Sequence, residues 1–152
     1  MAKPKVEKVT AVFIKGNIPS LKNSKIKTSR GIFPSKTVMN FLRELGIQKY
    51  SASRQEVVGF KTKPNLFDGY AADIKKMLKN KKPPYIIYFH FVRKTKTKFD
   101  FNNANQIILD LLTAHKVIPD DNMDYVIPAA LMIYDKWYSV NKDNPGVWIT
   151  ID

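Results

Sequence analysis

The run YIIYFHFV at 85–92 constrains this chain more than any other stretch. It is too short to cross a bilayer, which takes about 20 apolar residues in a helix. It is also dense in the aromatic and β-branched side chains that favour a pleated surface, so it reads as a strand. Alternate residues of a strand point to opposite faces, and here both faces are apolar. Such a strand belongs in the middle of a sheet that is covered on each side.

The rest of the chain supplies partners and cover. VTAVFIKG at 9–16 predicts a first strand ending at Gly16. Residues 17–34, broken by Pro19, Gly31 and Pro34, read as a polar, basic loop with room for a short hairpin. SKTVMNFLRELG at 35–46 puts Val38, Phe41, Leu42 and Leu45 on one helical face, with Ser35 as cap and Gly46 as stop. Residues 47–67 show no clear period. DGYAADIKKMLKN at 68–80 predicts a second helix, capped by Asp68, with Tyr70, Ile74, Met77 and Leu78 facing inward. A third helix is predicted over about 103–115. YVIPAALMIYDKWYSV and GVWITID read as closing strands, with Pro128 marking an edge or a bulge. The expected class is α+β, a mixed β-sheet with about three helices packed on it, in a single domain over 1–152.

Charge narrows the function. The chain has 26 Lys and Arg against 13 Asp and Glu, and the two signs segregate. Residues 1–99 hold 23 basic and 5 acidic side chains, a net of +18, whereas 100–152 hold 3 basic and 8 acidic, a net of −5. A basic body with an acidic patch suits a protein that holds a polyanion and places metal ions beside it. There is no Cys, which excludes a disulfide scaffold and thiolate zinc sites. MAKPKVEKVT has no apolar core of the signal-peptide kind. The expectation is a soluble cytoplasmic protein with a nucleic-acid partner and no membrane association.

The acids gather in FDFNNANQIILDLLTAHKVIPDDNMD at 99–124. Asn103 and Gln106 have capping-box-like spacing, and Ala104, Ile108, Leu111, Leu112 and His115 form an inward face. Gln106, Asp110 and Thr113 fall on a polar face. If FDFN ends a strand, alternation sends Asp100 and Asn102 to the same side. Asp120 and Asp121 follow Pro119 and reach Asp100 only through a return turn. Carboxylate-held Mg²⁺ is the group that polarises a phosphoryl oxygen and deprotonates water at neutral pH. DDNMD is no EF-hand, because Tyr125 and Leu131 stand where that loop needs Gly and Glu. Upstream, Lys94, Lys96 and Lys98 alternate with threonines and would form a phosphate rail on an extended segment. Lys79, Lys81 and Lys82 read as a solvated helix end. His90 reads as a strand residue and His115 as a core or helix-end residue; of Trp137, Tyr138 and Trp148, at least two read as packing residues.

This spacing resembles the core motif of the RusA family of Holliday-junction resolvases. That motif runs Asp-x-Asp-Asn, then Lys four residues after the second Asp, an x-Asp-x-Leu helix and a closing Asp-Asp. Asp100, Asn103, Asp110, Leu112 and the pair Asp120 and Asp121 match it without a gap. IPSLKNSK at 18–25 and PSKTVMNFLREL at 34–45 are similar to the family's N-terminal loop and following helix. The chain departs at Asn102, where the family has its second Asp, and at Gln106, where it has Lys.

The resemblance implies a homodimeric, Mg²⁺-dependent endonuclease, with Mn²⁺ as an alternative metal, that acts on branched DNA such as four-way junctions in a bacterial host and is often phage- or prophage-encoded. On this reading Asp100, Asn102 and Asp121 are catalytic and bind the metal, with Asp120 beside them. Lys22, Asn23, Lys25, Lys94, Lys96 and Lys98 contact DNA, and Asn103, Gln106 and Asp110 line the helix's polar face. Two alternatives stand beside it: a RusA-like junction binder that cuts poorly or not at all because of Asn102 and Gln106, and a general basic nucleic-acid-binding protein with no metal site.

Overall fold

The computed structural model describes residues 10–20, 25–28, 31–34, 36–47, 49–51, 56–58 and 65–152, with side chains for 10–20, 36–47 and 65–152. The apolar run forms β6 (Tyr85–Arg93), which lies between strands on both sides. One neighbour is β9 (Gly146–Ile151), antiparallel, followed by β1 (Val12–Lys15), antiparallel to β9. On the other side β7 (Val126–Ala130) and the two-residue β8 (Ser139–Val140) run parallel to successive parts of β6. The sheet is mixed and five-stranded, in the order β1-β9-β6-β7 with β8 beside β6. Among the described strands β7 pairs with β6 alone, which puts Pro128 on an edge, where a missing N–H costs no ladder bond. Two hairpin pairs lie off this sheet. β2 (Lys25–Thr28) with β3 (Gly31–Pro34) falls in the loop expected at 17–34, and β4 (Lys49–Ser51) with β5 (Glu56–Val58) in the aperiodic 47–67. The α+β architecture expected from the sequence is the one observed.

Among the described residues three helices accompany the sheet. In α1 (Lys36–Glu44), Val38, Phe41 and Leu42 are buried as their spacing requires. Gly46, at φ 77°, ends it: Ile47 N–H bonds back to Leu42 O (3.0 Å) and Gly46 N–H to Arg43 O (2.9 Å), the Schellman pairing. The Ser35 cap lies outside the described residues.

The helix α2 (Phe67–Leu78) rests on β1 and β9 and buries Phe67, Ala71, Ile74, Met77 and Leu78. Its entry corrects the expected Asp68 cap. Asn65 Oδ1 accepts from Asp68 N–H and Asp68 Oδ2 accepts from Asn65 N–H, both at 3.0 Å. This reciprocal exchange is a capping box with Asn65 leading and Asp68 closing.

The crossover from β6 to β7 contains α3 (Phe101–Ala114). Ile87, Phe89 and Phe91 share one face of β6 and are essentially without exposure. Phe101 meets Phe89 and Phe91 edge-on at 6.3 and 5.8 Å, which seats the helix on that face. On the opposite face His90 is 1% exposed. Its Nδ1–H donates to Leu131 O (2.8 Å) and its Nε2 accepts from the Ser139 hydroxyl (2.7 Å), so the ring ties the 131–139 segment to the sheet. Trp148 packs on Phe13 at 4.8 Å and Tyr138 on Phe99 at 5.1 Å, whereas Trp137 is largely exposed.

α2 and α3 meet at His115, whose side chain is 3% exposed. Nδ1–H donates to Leu111 O (2.8 Å) and Nε2 accepts from Asn65 (3.3 Å), with the Asp68 carboxylate at 3.8 Å. Burial holds the imidazole below its ordinary pKa, against the opposing pull of the Leu111 carbonyl and Asp68. The folded chain thus resists a proton that the unfolded chain accepts near pH 6.5, and stability falls as pH drops through that value. Urea midpoints compared at pH 7.5 and 5.5 are expected to be lower at pH 5.5. His115→Asn, which can keep a donor to Leu111 O without titrating, is expected to flatten that difference.

Among the described residues no helix is long and apolar enough to cross a membrane.

Candidate active site

The acidic stretch is built around the two ends of α3. Asp100, in extended conformation at φ −101° and ψ 118°, is the N-cap. Its Oδ1 accepts from Asn102 N–H (2.9 Å) and Asn103 N–H (3.3 Å), meeting two of the donors that a helix start leaves unpaired. This corrects the strand-end reading of FDFN. The helix starts at Phe101, so Asn102 lies in its first turn, Asn103 is not the cap, and Asp100 and Asn102 are not alternating strand residues.

Removing that acceptor with Asp100→Ala is expected to cost about 1 kcal/mol of stability. Asp100→Asn keeps an accepting oxygen and is expected to cost a few tenths. Denaturant titration of the pair separates the carboxylate's structural role from any role its charge has in binding.

The far end supplies the return turn that Asp121 needs. Lys116 takes the left-handed conformation at φ 59°. Val117 N–H bonds to Leu112 O (2.9 Å) and Lys116 N–H to Thr113 O (3.0 Å), a second Schellman turn. The chain then doubles back. Gln106 Nε2, near the middle of α3, donates one hydrogen to Asp121 Oδ2 (2.5 Å) and the other to Asp110 Oδ1 (2.8 Å). Asp120 Oδ1 accepts from Asp121 N–H (2.8 Å) and its Oδ2 from the Asn122 amide (3.1 Å). The Asp121 backbone N–H, joined by contacts from the Asp121 side chain and Asn122, holds Asp120 below its ordinary pKa.

Asn102, Gln106 and Asp110 are spaced i, i+4 and i+8, so they form one stripe along the helix. Asp121 docks at the Gln106 and Asp110 level, while Asp100 heads the same helix about 9 Å further along its axis, at 1.5 Å per residue. The structure thus brings together Gln106, Asp110 and Asp121, with Asp120 adjacent, and leaves Asp100 and Asn102 at the helix head. The donor chemistry of this set is oxygen only, which fits a hard cation such as Mg²⁺ or Mn²⁺. The ligands are not preassembled: among the described residues no three His, Asp or Glu side chains converge as a metal group.

Leading into Asp100, Lys94, Lys96 and Lys98 are exposed. The segment bends at 94–96 and is not a strand, although the Thr95 and Thr97 hydroxyls meet at 2.9 Å and so share a side. Arg93 fixes its start, donating through Nη1 to Ile18 O (2.6 Å) and lying 4.8 Å over the Phe99 ring. Lys22 and Asn23 lie outside the described residues, as does the side chain of Lys25.

One feature had no sequence signal. A cleft of about 470 Å³ opens at the strand ends, lined by Lys15, Lys94 and Lys142 among others. These lysines are dispersed along the chain, and only the sheet order brings them together. No family model, curated protein or solved structure matches this chain.

Proposed function

We propose that this chain is a structure-selective DNA endonuclease of the RusA kind, hydrolysing phosphodiesters in branched DNA such as four-way junctions with Mg²⁺ or Mn²⁺. The observation that carries this reading is the Schellman turn at Lys116, which returns Asp121 to the exposed stripe of the helix that Asp100 caps. Asp100, Asn102 and Asp121, with Asp120 beside them, would hold the cation once Asp121 leaves Gln106 and turns toward the helix head. When bound, it supplies charge for the phosphoryl oxygens and acidifies a water. The chain's own groups orient this site: Gln106 holds Asp121 against Asp110, and the basic segment before Asp100 gives the phosphate backbone a path toward it. A homodimer suits paired cuts, because two-fold symmetry presents two equivalent sites.

A second reading, a junction binder that cuts poorly, is favoured by Gln106 itself. Its neutral amide spans two carboxylates at the place where the resemblance calls for a lysine.

Nicking of a synthetic four-way junction in Mg²⁺, Mn²⁺ and EDTA decides between them. The endonuclease gives metal-dependent paired nicks that Asp121→Asn reduces by at least 100-fold. Tight junction binding without nicks in either metal establishes the binder. Equal affinity for junction and linear duplex, with no nicking, overturns both.

A further inference from the structure

The cleft at the strand ends lies apart from the acidic stripe. Lys15 comes from the end of β1, Lys94 from the residue after β6, and Lys142 from the connection between β8 and β9. Gly16, Asn17, Tyr70 and Pro145 complete much of its wall, and Glu44 and Asp143 also line it. The ends of β1 and β6 meet here because β9 begins between them, its Gly146 facing Lys15 on one side and Val92 on the other.

Three properties of the cleft suit an anion. First, two carboxylates are within the lining, yet none of the three lysines makes an ion pair with a described residue. Their charge remains available to a ligand. Second, neutral donors accompany them. The Tyr70 hydroxyl oxygen accepts from Lys15 N–H (3.4 Å), which leaves its own proton to donate elsewhere, and Asn17 contributes an amide. Third, the space is large. At about 30 Å³ per water, 470 Å³ holds roughly fifteen waters, enough for a phosphate group with its sugar.

We propose that this cleft binds a backbone phosphate of a nucleic-acid strand, holding it with Lys15, Lys94 and Lys142 while the same strand runs along 94–98 toward Asp100. The inference rests on the reading of the partner as a nucleic acid, but not on cleavage. Lys94 and Asp100 are six residues apart, and an extended chain covers at most about 20 Å over that length. At 3.4 Å per nucleotide on one strand, the held phosphate lies within about six nucleotides of the strand position beside α3. The cleft would therefore act as a distal clamp on a strand leading to the acidic stripe.

The test is equilibrium binding of a dye-labelled four-way junction and of linear duplex, in EDTA, across 50–200 mM salt. Each phosphate contact contributes about 0.9 to the slope of log affinity against log salt. The variant Lys15→Gln/Lys94→Gln/Lys142→Gln is expected to lower that slope by about 2 to 3 and the affinity at 100 mM salt by at least tenfold. Lys79→Gln/Lys81→Gln/Lys82→Gln removes the same charge from the exposed end of α2 and is expected to lower the slope by less than about 1.

Equal losses in the two triples, or no loss in the first, overturn the proposal. Displacement of the duplex by millimolar deoxynucleoside monophosphate also overturns it, in favour of a mononucleotide pocket. If the first triple fails to fold, Lys142→Gln alone, in the loop, must lower the slope by about 0.9. Failure of the nuclease reading appears as absent nicking with the slope difference intact. Failure of the clamp appears as an absent slope difference, whatever the nicking result.

Discussion

Gly146→Ala is expected to destabilise the fold by about 3 kcal/mol, the upper part of the range for overpacking a filled interior. A Cβ at Gly146 would stand 2.4 Å from Phe13 Cζ and 2.5 Å from Ile14 O. The ring could turn aside, but it already packs on Trp148 at 4.8 Å, and the carbonyl is backbone of the adjoining strand. Relief requires β1 and β9 to separate where Lys15 pairs with Gly146, next to the lysine-lined cleft. Gly69→Ala is the matched opposite. Gly69 lies in α2 with nothing within 4 Å of its would-be Cβ, so alanine is expected to stabilise by about 0.5–1 kcal/mol through helix propensity. Guanidinium unfolding midpoints for the two variants should move in opposite directions. A neutral Gly146→Ala would mean that the β1–β9 contact yields more readily than its register implies.

The stretch around α3 was legible where local periodicity and long-range packing agree. Helical spacing turns Ala104, Ile108, Leu111 and Leu112 inward, and all four are buried. The helix start was not legible, because FDFN satisfies strand alternation and helix entry equally well. The decision is made by Phe101, whose contacts with Phe89 and Phe91 draw it into the helix and leave Asp100 as cap. The return of Asp121 was hidden for a different reason. Left-handed turns usually announce themselves by Gly or Asn, as Gly46 does at the end of α1, and Lys116 carries no such mark. The capping box of Asn65 and Asp68 was missed because Asn65 closes a segment without periodicity. The lysine cleft could not be read at all, since it exists only once β9 inserts between β1 and β6.

Asn102→Asp combined with Gln106→Lys is expected to raise metal-dependent junction nicking by at least 100-fold, with Asn102→Asp alone giving about tenfold. A tenfold change corresponds to about 1.4 kcal/mol of barrier, the scale expected when a neutral donor becomes a charged one near a developing charge. Asn102 lies in the first turn of α3, beside the Asp100 cap that binds its N–H. A carboxylate there adds a second acid to the helix head, so half-saturation should move to lower Mg²⁺. Gln106 lies one turn further on, engaged by Asp110 and Asp121. A lysine can keep both contacts as charge-assisted bonds and adds a cation that a phosphate can also use. The two changes act on metal and phosphate respectively, and the positions are one turn apart, so their effects need not be additive. An acid in the first turn also favours the helix dipole by about 0.3–1 kcal/mol. Rates must therefore be taken per folded molecule, with unfolding followed in parallel. If Asn102→Asp gains stability but changes neither nicking nor the Mg²⁺ half-saturation, the helix head is a cap and not a metal site. Any cleavage would then have to be located elsewhere on the basic surface.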